Sequence, residues 1–232
     1  MSEVWQHFVT RGAPPTGTCL VLVRHGEARC NVDGVVGGAR GDGSLTPRGR
    51  EQVRALRDRL ARSGEFDDVS AFYTSTLPRA VETAAILAPV LPEGLTLVSE
   101  SDLCELRPGE ADGLTWEQVA QRFGSHEWRE DPRVPFAPGG ESRLAFYERC
   151  VRVLACLVER HPGQRVVVVS HGGVIEQAMK ILYGDEPDAR LGLRTDNASV
   201  TEIEFDGARR RLLRYNDVAP LDAPYPRRNS AT

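Results

Sequence analysis

Leu20-Val-Leu-Val-Arg24-His25-Gly26-Glu27 and Val166-Val-Val-Val-Ser170-His171-Gly172-Gly173 decide how this chain folds. Each is an apolar, largely β-branched run that stops at a histidine followed by glycine. A strand buried on both faces of a parallel sheet reads this way, because neither face meets water. In open α/β sheets, ligands sit in the crevice beyond the carboxyl ends of the strands. Two such strands in one sheet would bring His25 and His171 to the same edge, with Arg24 beside the first. The pattern therefore points to a site as well as to a fold.

Outward from the first run, residues 32–44 are too rich in glycine for a regular element and read as a loop. Thr46-Pro47 supplies an N-cap and a proline at the first helical position. Val53, Leu56 and Leu60 then recur on one helical face. Val69 to Tyr73 reads as a second strand, and Ser75-Thr76 with Pro78 opens a second helix through Leu87. A short strand is expected near Leu95 to Val98. The stretch 103–138 is irregular apart from an amphipathic piece at Trp116 to Phe123. A long helix from Ser142 to Glu159 would bury Leu144, Phe146, Val151, Leu154 and Val158. After the second apolar run come a helix from Val174 to Tyr183 and a hairpin, Ser199 to Phe205 and Arg211 to Tyr215, turning at Asp206-Gly207.

Strands alternating with helices predict a three-layer α/β/α fold, a mostly parallel central sheet with helices on both faces. One domain is expected over residues 18–220, with a helical and irregular lid at about 103–145. Residues 1–17 read as a flexible lead-in and 221–232 as a mobile tail.

Composition removes several function classes. The 232 residues are 41% hydrophobic and 27% charged, with a formal net charge of -4. Nothing in that balance suits a nucleic-acid or anionic-membrane surface. Lys180 is the one lysine among 29 basic residues, which reads as codon bias. The five cysteines are scattered without C-x-x-C spacing, which argues against a metal site or disulfide framework and for a reducing cytosol. Neither a signal-peptide core nor a membrane-length apolar run is present, so a cytoplasmic location is expected. His7, His126 and His161 read as structural or exposed. No coiled-coil repeat marks an interface, and a homodimer stays open.

Four segments together resemble the histidine phosphatase superfamily, the group that contains the cofactor-dependent phosphoglycerate mutases. Arg24-His25-Gly26-Glu27, with Asn31 downstream, is similar to its R-H-G signature. Ser75-Thr-Leu-Pro-Arg79-Ala-Val-Glu-Thr83-Ala84 is similar to S-x-L-x-R-A-x-x-T-A, and Leu103-Cys-Glu105 through Gly109 to Gly113-Leu-Thr115 to L-x-E…G…G-L-T. Ser170-His171-Gly172-Gly173 completes the set. The resemblance implies phosphomonoester chemistry without metal or other cofactor, on a small phosphorylated metabolite.

The residue types suit that chemistry. A phosphomonoester is largely a dianion near neutral pH and repels nucleophiles until its charge is balanced. Arg24 and Arg79 are permanently charged forks that bind phosphoryl oxygens bidentately. His171 would add a hydrogen bond, and the amides at Gly172-Gly173 a helix N-terminus. Unprotonated His25 can attack phosphorus. Glu105 is the candidate acid for the leaving alcohol and the later base for water. Asn31 and Gly38 are expected at the phosphate or substrate. Thr83, on the same helical face as Arg79, reads as packing or support.

Two departures from the family pattern fall near the substrate. Ala28 stands where the family usually has Ser or Thr, and the loop from Gly37 to Ser44 is slightly longer. The resemblance also separates hydrolases from mutases by a long basic insertion between the catalytic Glu and a later G-G-E-S. Here Glu105 to Gly139-Gly140-Glu141-Ser142 is short, which favours hydrolysis over the alternatives of mutase-type transfer and a non-catalytic member. The aromatics Trp116, Phe123, Trp128 and Phe136 either line a substrate pocket or pack the lid.

Overall fold

The computed structural model describes residues 17–124, 130–184, 192–207 and 209–218. A six-stranded mixed sheet forms the middle layer: β1 (Thr18–Arg24), β2 (Val69–Thr74), β3 (Leu97–Ser99), β4 (Arg165–Ser170), β5 (Ser199–Asp206) and β6 (Arg209–Val218). Their order across the sheet is β3-β2-β4-β1-β5-β6. β1, β2, β3 and β4 run parallel, while the β5–β6 hairpin joins β1 antiparallel.

The α-helices lying wholly within the described residues are α1 (Arg29–Asp33), α2 (Pro47–Ser63), α3 (Pro78–Leu87), α4 (Trp116–Phe123), α5 (Arg143–Arg160) and α6 (Gly172–Tyr183). Alternation along the central strands divides the core between two layers. Val21, Val23, Val167 and Val169 pack with Val53, Leu56 and Leu60 of α2 and Ala80, Ala84 and Leu87 of α3. Leu20, Leu22, Val166 and Val168 pack with Leu154 and Leu157 of α5 and Ile175 and Met179 of α6. Burying each such valine or leucine is worth about 1.5–3 kcal/mol, so an Asp at Val168 would break the sheet's centre. The expected three-layer α/β/α fold is present.

Local signals account for most boundaries. Thr46 caps α2 by accepting from Gly49 N, and Thr115 caps α4 with Gln118 answering. Three details differ from expectation. Leu77, not Ser75-Thr76, is the N-cap of α3, because Ser75, just past the end of β2, is still tied to β4, its amide bonding Val169 O at 3.0 Å. The short α1 begins at Arg29, where no helix was expected. On α5 the buried set is Phe146, Arg149, Cys150, Val153, Leu154 and Leu157, leaving Leu144, Val151 and Val158 half-buried. The face is rotated because Arg149 goes inward to an acidic partner, Glu141.

Between β3 and α5 the chain makes two short 3-10 turns, Ser101–Leu103 and Gly109–Ala111, and α4. A separate small cluster of Val36, Ala111, Val119, Phe136 and Ala137 anchors this segment. Its relation to the strand ends is what matters for the site. The expected lead-in through residue 16 and tail from 221 lie outside the described residues, as do His7, His126 and Trp128. His161 hydrogen-bonds the Tyr73 hydroxyl through Nε2 at 2.9 Å.

Candidate active site

Parallel pairing of β1 and β4 sets Arg24 opposite Ser170, so the next residues, His25 and His171, leave the sheet side by side. Their ring centroids lie 5.2 Å apart. Both rings are buried, at 3% and 0% exposure. The chain then turns away at Gly26, whose position leaves no room for a side chain. A side-chain carbon there would lie 2.6 Å from Gly49 O, and the Gly26 amide donates to Thr83 Oγ1 at 3.1 Å.

His25 has a defined proton. Its Nδ1 lies 2.7 Å from Gly26 O, a carbonyl that can only accept, so Nδ1 carries the hydrogen. Nε2 therefore keeps a lone pair, which receives the Nε hydrogen of Arg79 at 3.1 Å. Burial, then the charges of Arg79 and Arg24, hold the imidazole well below its usual titration range. His25 is thus unprotonated at neutral pH with its basic nitrogen facing a guanidinium.

Arg79 is fixed on its other side by Asp42. The two side chains, each 3% exposed, form an ion pair, and Asp42 Oδ1 also accepts from the Arg79 amide at 3.0 Å. Arg79 Nη1 further donates to Gly37 O at 2.9 Å. Asp42 was not a sequence-level candidate. An acidic residue inside a glycine-rich loop, followed by Leu45-Thr46 and a helix start, was the available signal.

Arg24 lies against Gly172 and donates to Thr195 O. The same loop seals the end of β1, with Ala198 N reaching both Arg24 O and His25 O at 3.1 Å and Asn197 Nδ2 reaching His25 O at 3.1 Å. Ala198 adopts φ 56°, a left-handed conformation uncommon for alanine and held here by those bonds.

His171 sits behind His25. Its Nε2 is 2.6 Å from Ser75 Oγ, and its Nδ1 has no hydrogen-bond partner. Burial and the neighbouring Arg79 push this ring's pKa well down as well.

Glu105 approaches from the irregular segment. Its carboxylate accepts from Gly173 N at 2.9 Å and from Leu106 N at 3.0 Å. The α6 amide expected to face an anion is thus already taken by a carboxylate. Gly173 is obligatory for this contact, since a side-chain carbon would lie 2.0 Å from Glu105 Oε1. The backbone carrying Glu105 is held by Arg149, which sequence reading did not single out. Arg149, 2% exposed, pairs bidentately with Glu141 at 2.7 Å through Nε and Nη2. It also donates to the carbonyls of Asp102 at 2.7 Å, Cys104 at 2.9 Å and Glu105 at 3.2 Å.

Arg24, His25, Asn31, Arg79 and Glu105 border one cavity of about 1560 Å³. Asn31 Oδ1 accepts from Ala28 N at 3.0 Å, and Ala28 is buried against the strand bridge to Leu45. Gly37 lines the cavity, whereas Gly38 is turned to Asp112, which accepts from the amides of Gly38, Arg40 and Gly41 at 2.9 Å each. Gly172 stands against Arg24 rather than in the lining. Among the described residues no group of three His, Cys, Asp or Glu could hold a metal ion, and no helix is long and apolar enough to cross a membrane.

Residues 20–218 match the family described as the histidine phosphatase superfamily (branch 1). The chain is 33% identical over 211 residues to phosphoglycerate mutase-like protein 4 of Arabidopsis thaliana, covering 88% of this chain and 86% of that one. It is 30% identical over 208 residues to phosphoserine phosphatase 1 of Hydrogenobacter thermophilus, covering 89% and 95%. Among solved structures, a mycobacterial glucosyl-3-phosphoglycerate phosphatase complexed with VO3 superposes with a TM-score of 0.72 at 30% identity, covering 86% and 98%.

Proposed function

Because the chain belongs to the histidine phosphatase superfamily, branch 1, and is a phosphatase, we propose that it hydrolyses a small phosphorylated metabolite through a phosphohistidine on His25. The observation that carries this reading is the lone pair on His25 Nε2, exposed to a cationic pocket by the Nδ1 hydrogen bond to Gly26 O.

The incoming phosphoryl oxygens replace Nε2 as the acceptor of Arg79 and bind Arg24, which balances the dianion at short range. Ser75 Oγ accepts from Leu77 N at 3.3 Å and lies 2.6 Å from His171 Nε2, where in this reading it gives its own hydrogen. That leaves the hydrogen of the neutral His171 ring on Nδ1, the atom without a partner, as a further donor to phosphate. His25 Nε2 forms a bond to phosphorus while the ester P–O bond breaks. The departing oxygen takes a proton from Glu105. Glu105 then removes a proton from water, whose oxygen attacks phosphorus, and the N–P bond breaks to restore His25.

Hydrolysis is favoured over transfer to a second substrate by access. The cavity of about 1560 Å³ that borders His25 also has Trp116, 58% exposed, in its lining, which supports entry of water as the acceptor. A small phosphorylated molecule as substrate is supported by relatives named for phosphoserine and for glucosyl-3-phosphoglycerate. To test the reading, p-nitrophenyl phosphate and a panel of metabolite phosphates are incubated with the protein in chelator. Phosphate release and an alkali-stable, acid-labile phosphoprotein are expected, and His25→Ala should lose both, the rate by on the order of 10⁵-fold. Turnover that survives His25→Ala would overturn the reading.

A further inference from the structure

Three amides of the glycine-rich loop converge on one carboxylate, and that loop carries the groups that fix Arg79. Residues 34–43 include five glycines, so the loop has little conformational preference of its own. Its first part is held by backbone pairing with the segment that follows Glu105. Val36 N donates to Leu114 O at 2.8 Å, Gly113 N donates to Val36 O at 3.0 Å, and Val35 bridges Thr115. Beyond Val36 a side chain takes over. Asp112 Oδ1 accepts from Gly38 N and Gly41 N, and Oδ2 from Arg40 N, at 2.9 Å each. The Asp112 side chain is only 9% exposed. Hydrogen bonds to an ionised acceptor are about twice as strong as neutral ones, so this joint is firm. Its ion pair with Arg40 is the minor part, because the atoms stand 3.8 Å apart and the Arg40 side chain is 69% exposed.

The gripped residues lie between the two that hold the phosphate-binding fork. Gly37, before them, supplies the carbonyl that accepts from Arg79 Nη1 at 2.9 Å. Asp42, after them, ion-pairs with Arg79 and accepts from its amide at 3.0 Å. Arg79 in turn donates to His25 Nε2 at 3.1 Å. Contacts thus lead from Asp112 through the loop and the guanidinium to the nitrogen proposed to attack phosphorus. Asp112 stands seven residues after Glu105. One segment therefore bears the proposed acid at one end and grips the loop of the fork at the other.

We propose that Asp112 is a positioning residue for phosphoryl transfer, fixing Arg79 at the cavity floor by ordering the loop from Gly37 to Asp42. The inference rests on the phosphohistidine reading of that floor. Asp112 itself lies outside the cavity lining, so its effect should appear where Arg79 acts.

The test measures kcat/KM of the full chain on p-nitrophenyl phosphate and glycerol 3-phosphate, with vanadate as an inhibitor that needs the floor alone. Asp112→Asn keeps an oxygen for Gly38 and Gly41 but turns an NH2 group toward Arg40 N. It should lower kcat/KM about tenfold on both esters alike and raise the vanadate inhibition constant by a similar factor. Gly38→Ala reaches the same joint from the loop without removing charge, since its side-chain carbon would lie 2.6 Å from Asp112 Cγ. The same pattern is expected of it. Arg40→Ala should stay within about twofold of the unaltered chain. Asp112→Asn and Asp42→Asn both act on Arg79, so the double variant should lose less than the product of the separate losses.

An Asp112→Asn protein with native circular dichroism and unchanged kcat/KM and vanadate inhibition would overturn the inference. A loss confined to glycerol 3-phosphate would overturn it too, by placing the effect at Glu105. So would losses that simply multiply in the double variant. If Asp112→Asn does not fold, Gly38→Ala decides by the same measurements. Absence of turnover in the unaltered chain is a different result, which removes the parent reading and this one with it.

Discussion

His25 and Glu105 face the same cavity from two different kinds of backbone. His25 follows directly from β1, with strands on both sides, its amide bonded to Ser170 O at 3.0 Å and its carbonyl held by Ala198 and Asn197. Glu105 lies in a stretch without regular structure, and its position depends on side chains: Arg149, Glu141 and the amide of Gly173. The proposed nucleophile is positioned by the sheet's own hydrogen bonding, which any sequence with this topology supplies. The proposed proton donor is positioned by a few charged contacts that this sequence must encode one by one. Substitutions at the two ends should therefore fail in different ways.

The largest separation is expected at Glu105 itself. Glu105→Gln keeps the side chain's size and can still accept from one of the two amides, Gly173 N or Leu106 N, but cannot deliver a proton, so turnover of alkyl phosphates should fall by roughly 10²–10⁴-fold. With p-nitrophenyl phosphate, whose leaving group needs little protonation, the fall should be much smaller. Parallel steady-state rates on both esters check this, and equal losses would remove Glu105 as the acid. Next comes the floor. Asp42→Asn leaves Arg79 charged but frees it from its ion pair, and a misplaced phosphate-binding fork should cost about 10²-fold on every ester alike. A leaving-group-dependent loss there would blur the contrast between the two ends.

Much of the floor was legible in the sequence, because strand ends are. The β-branched runs and the H-G stops placed His25 and His171 at one edge, and the parallel register then brought them together. Arg79 followed from its place at the start of a helix after a buried strand. Asp42 and Arg149 were not legible. An aspartate in a glycine-rich loop and an arginine in an arginine-rich amphipathic helix look like solvated charges until their partners, 37 and 8 residues away, are known. The same blindness rotated the α5 face, since periodicity counts apolar residues and Arg149 is the buried one. Gly38 and Gly172 show the reverse. Gly172 was expected to meet the anion through its amide and Gly38 to lie at the phosphate or substrate, whereas Gly172 stands against Arg24 and the Gly38 amide is taken by Asp112.

Arg149 offers a third, smaller break. Arg149→Lys keeps one charge near Glu141 but cannot reach three carbonyls and a carboxylate together. Removing one partner of a buried pair outright costs about 3–5 kcal/mol, and the lysine should cost less than that. If Arg149 acts by holding the Glu105 backbone, the variant's remaining activity should also be biased, with alkyl phosphates losing about tenfold more than p-nitrophenyl phosphate. Denaturant unfolding and the two-ester ratio measured on the same preparation separate the effects. A destabilised protein with an unchanged ratio would assign Arg149 to the fold alone.

The smallest effect concerns protons at the floor and carries its own sign. Burial first, then Arg79, lower the pKa values of His25 and His171 in the folded state. In the unfolded chain both imidazoles take up a proton near pH ~6.5. Above that pH neither state binds a proton at these rings and they leave stability unchanged with pH. As pH falls below it, the unfolded state gains protons that the folded state refuses, and stability declines until the folded pKa is reached. The slope approaches about 1.4 kcal/mol per pH unit for each ring. The lowered carboxyls of Glu65 and Glu141 act in the same direction but only at more acidic pH. Unfolding free energies measured between pH 6.5 and 5 therefore isolate the histidines. His171→Asn should flatten the decline by up to one ring's share, and adding His25→Asn should flatten it again. If neither substitution alters the slope, the rings are protonated inside the folded protein, and the floor loses the lone pair on which its chemistry depends.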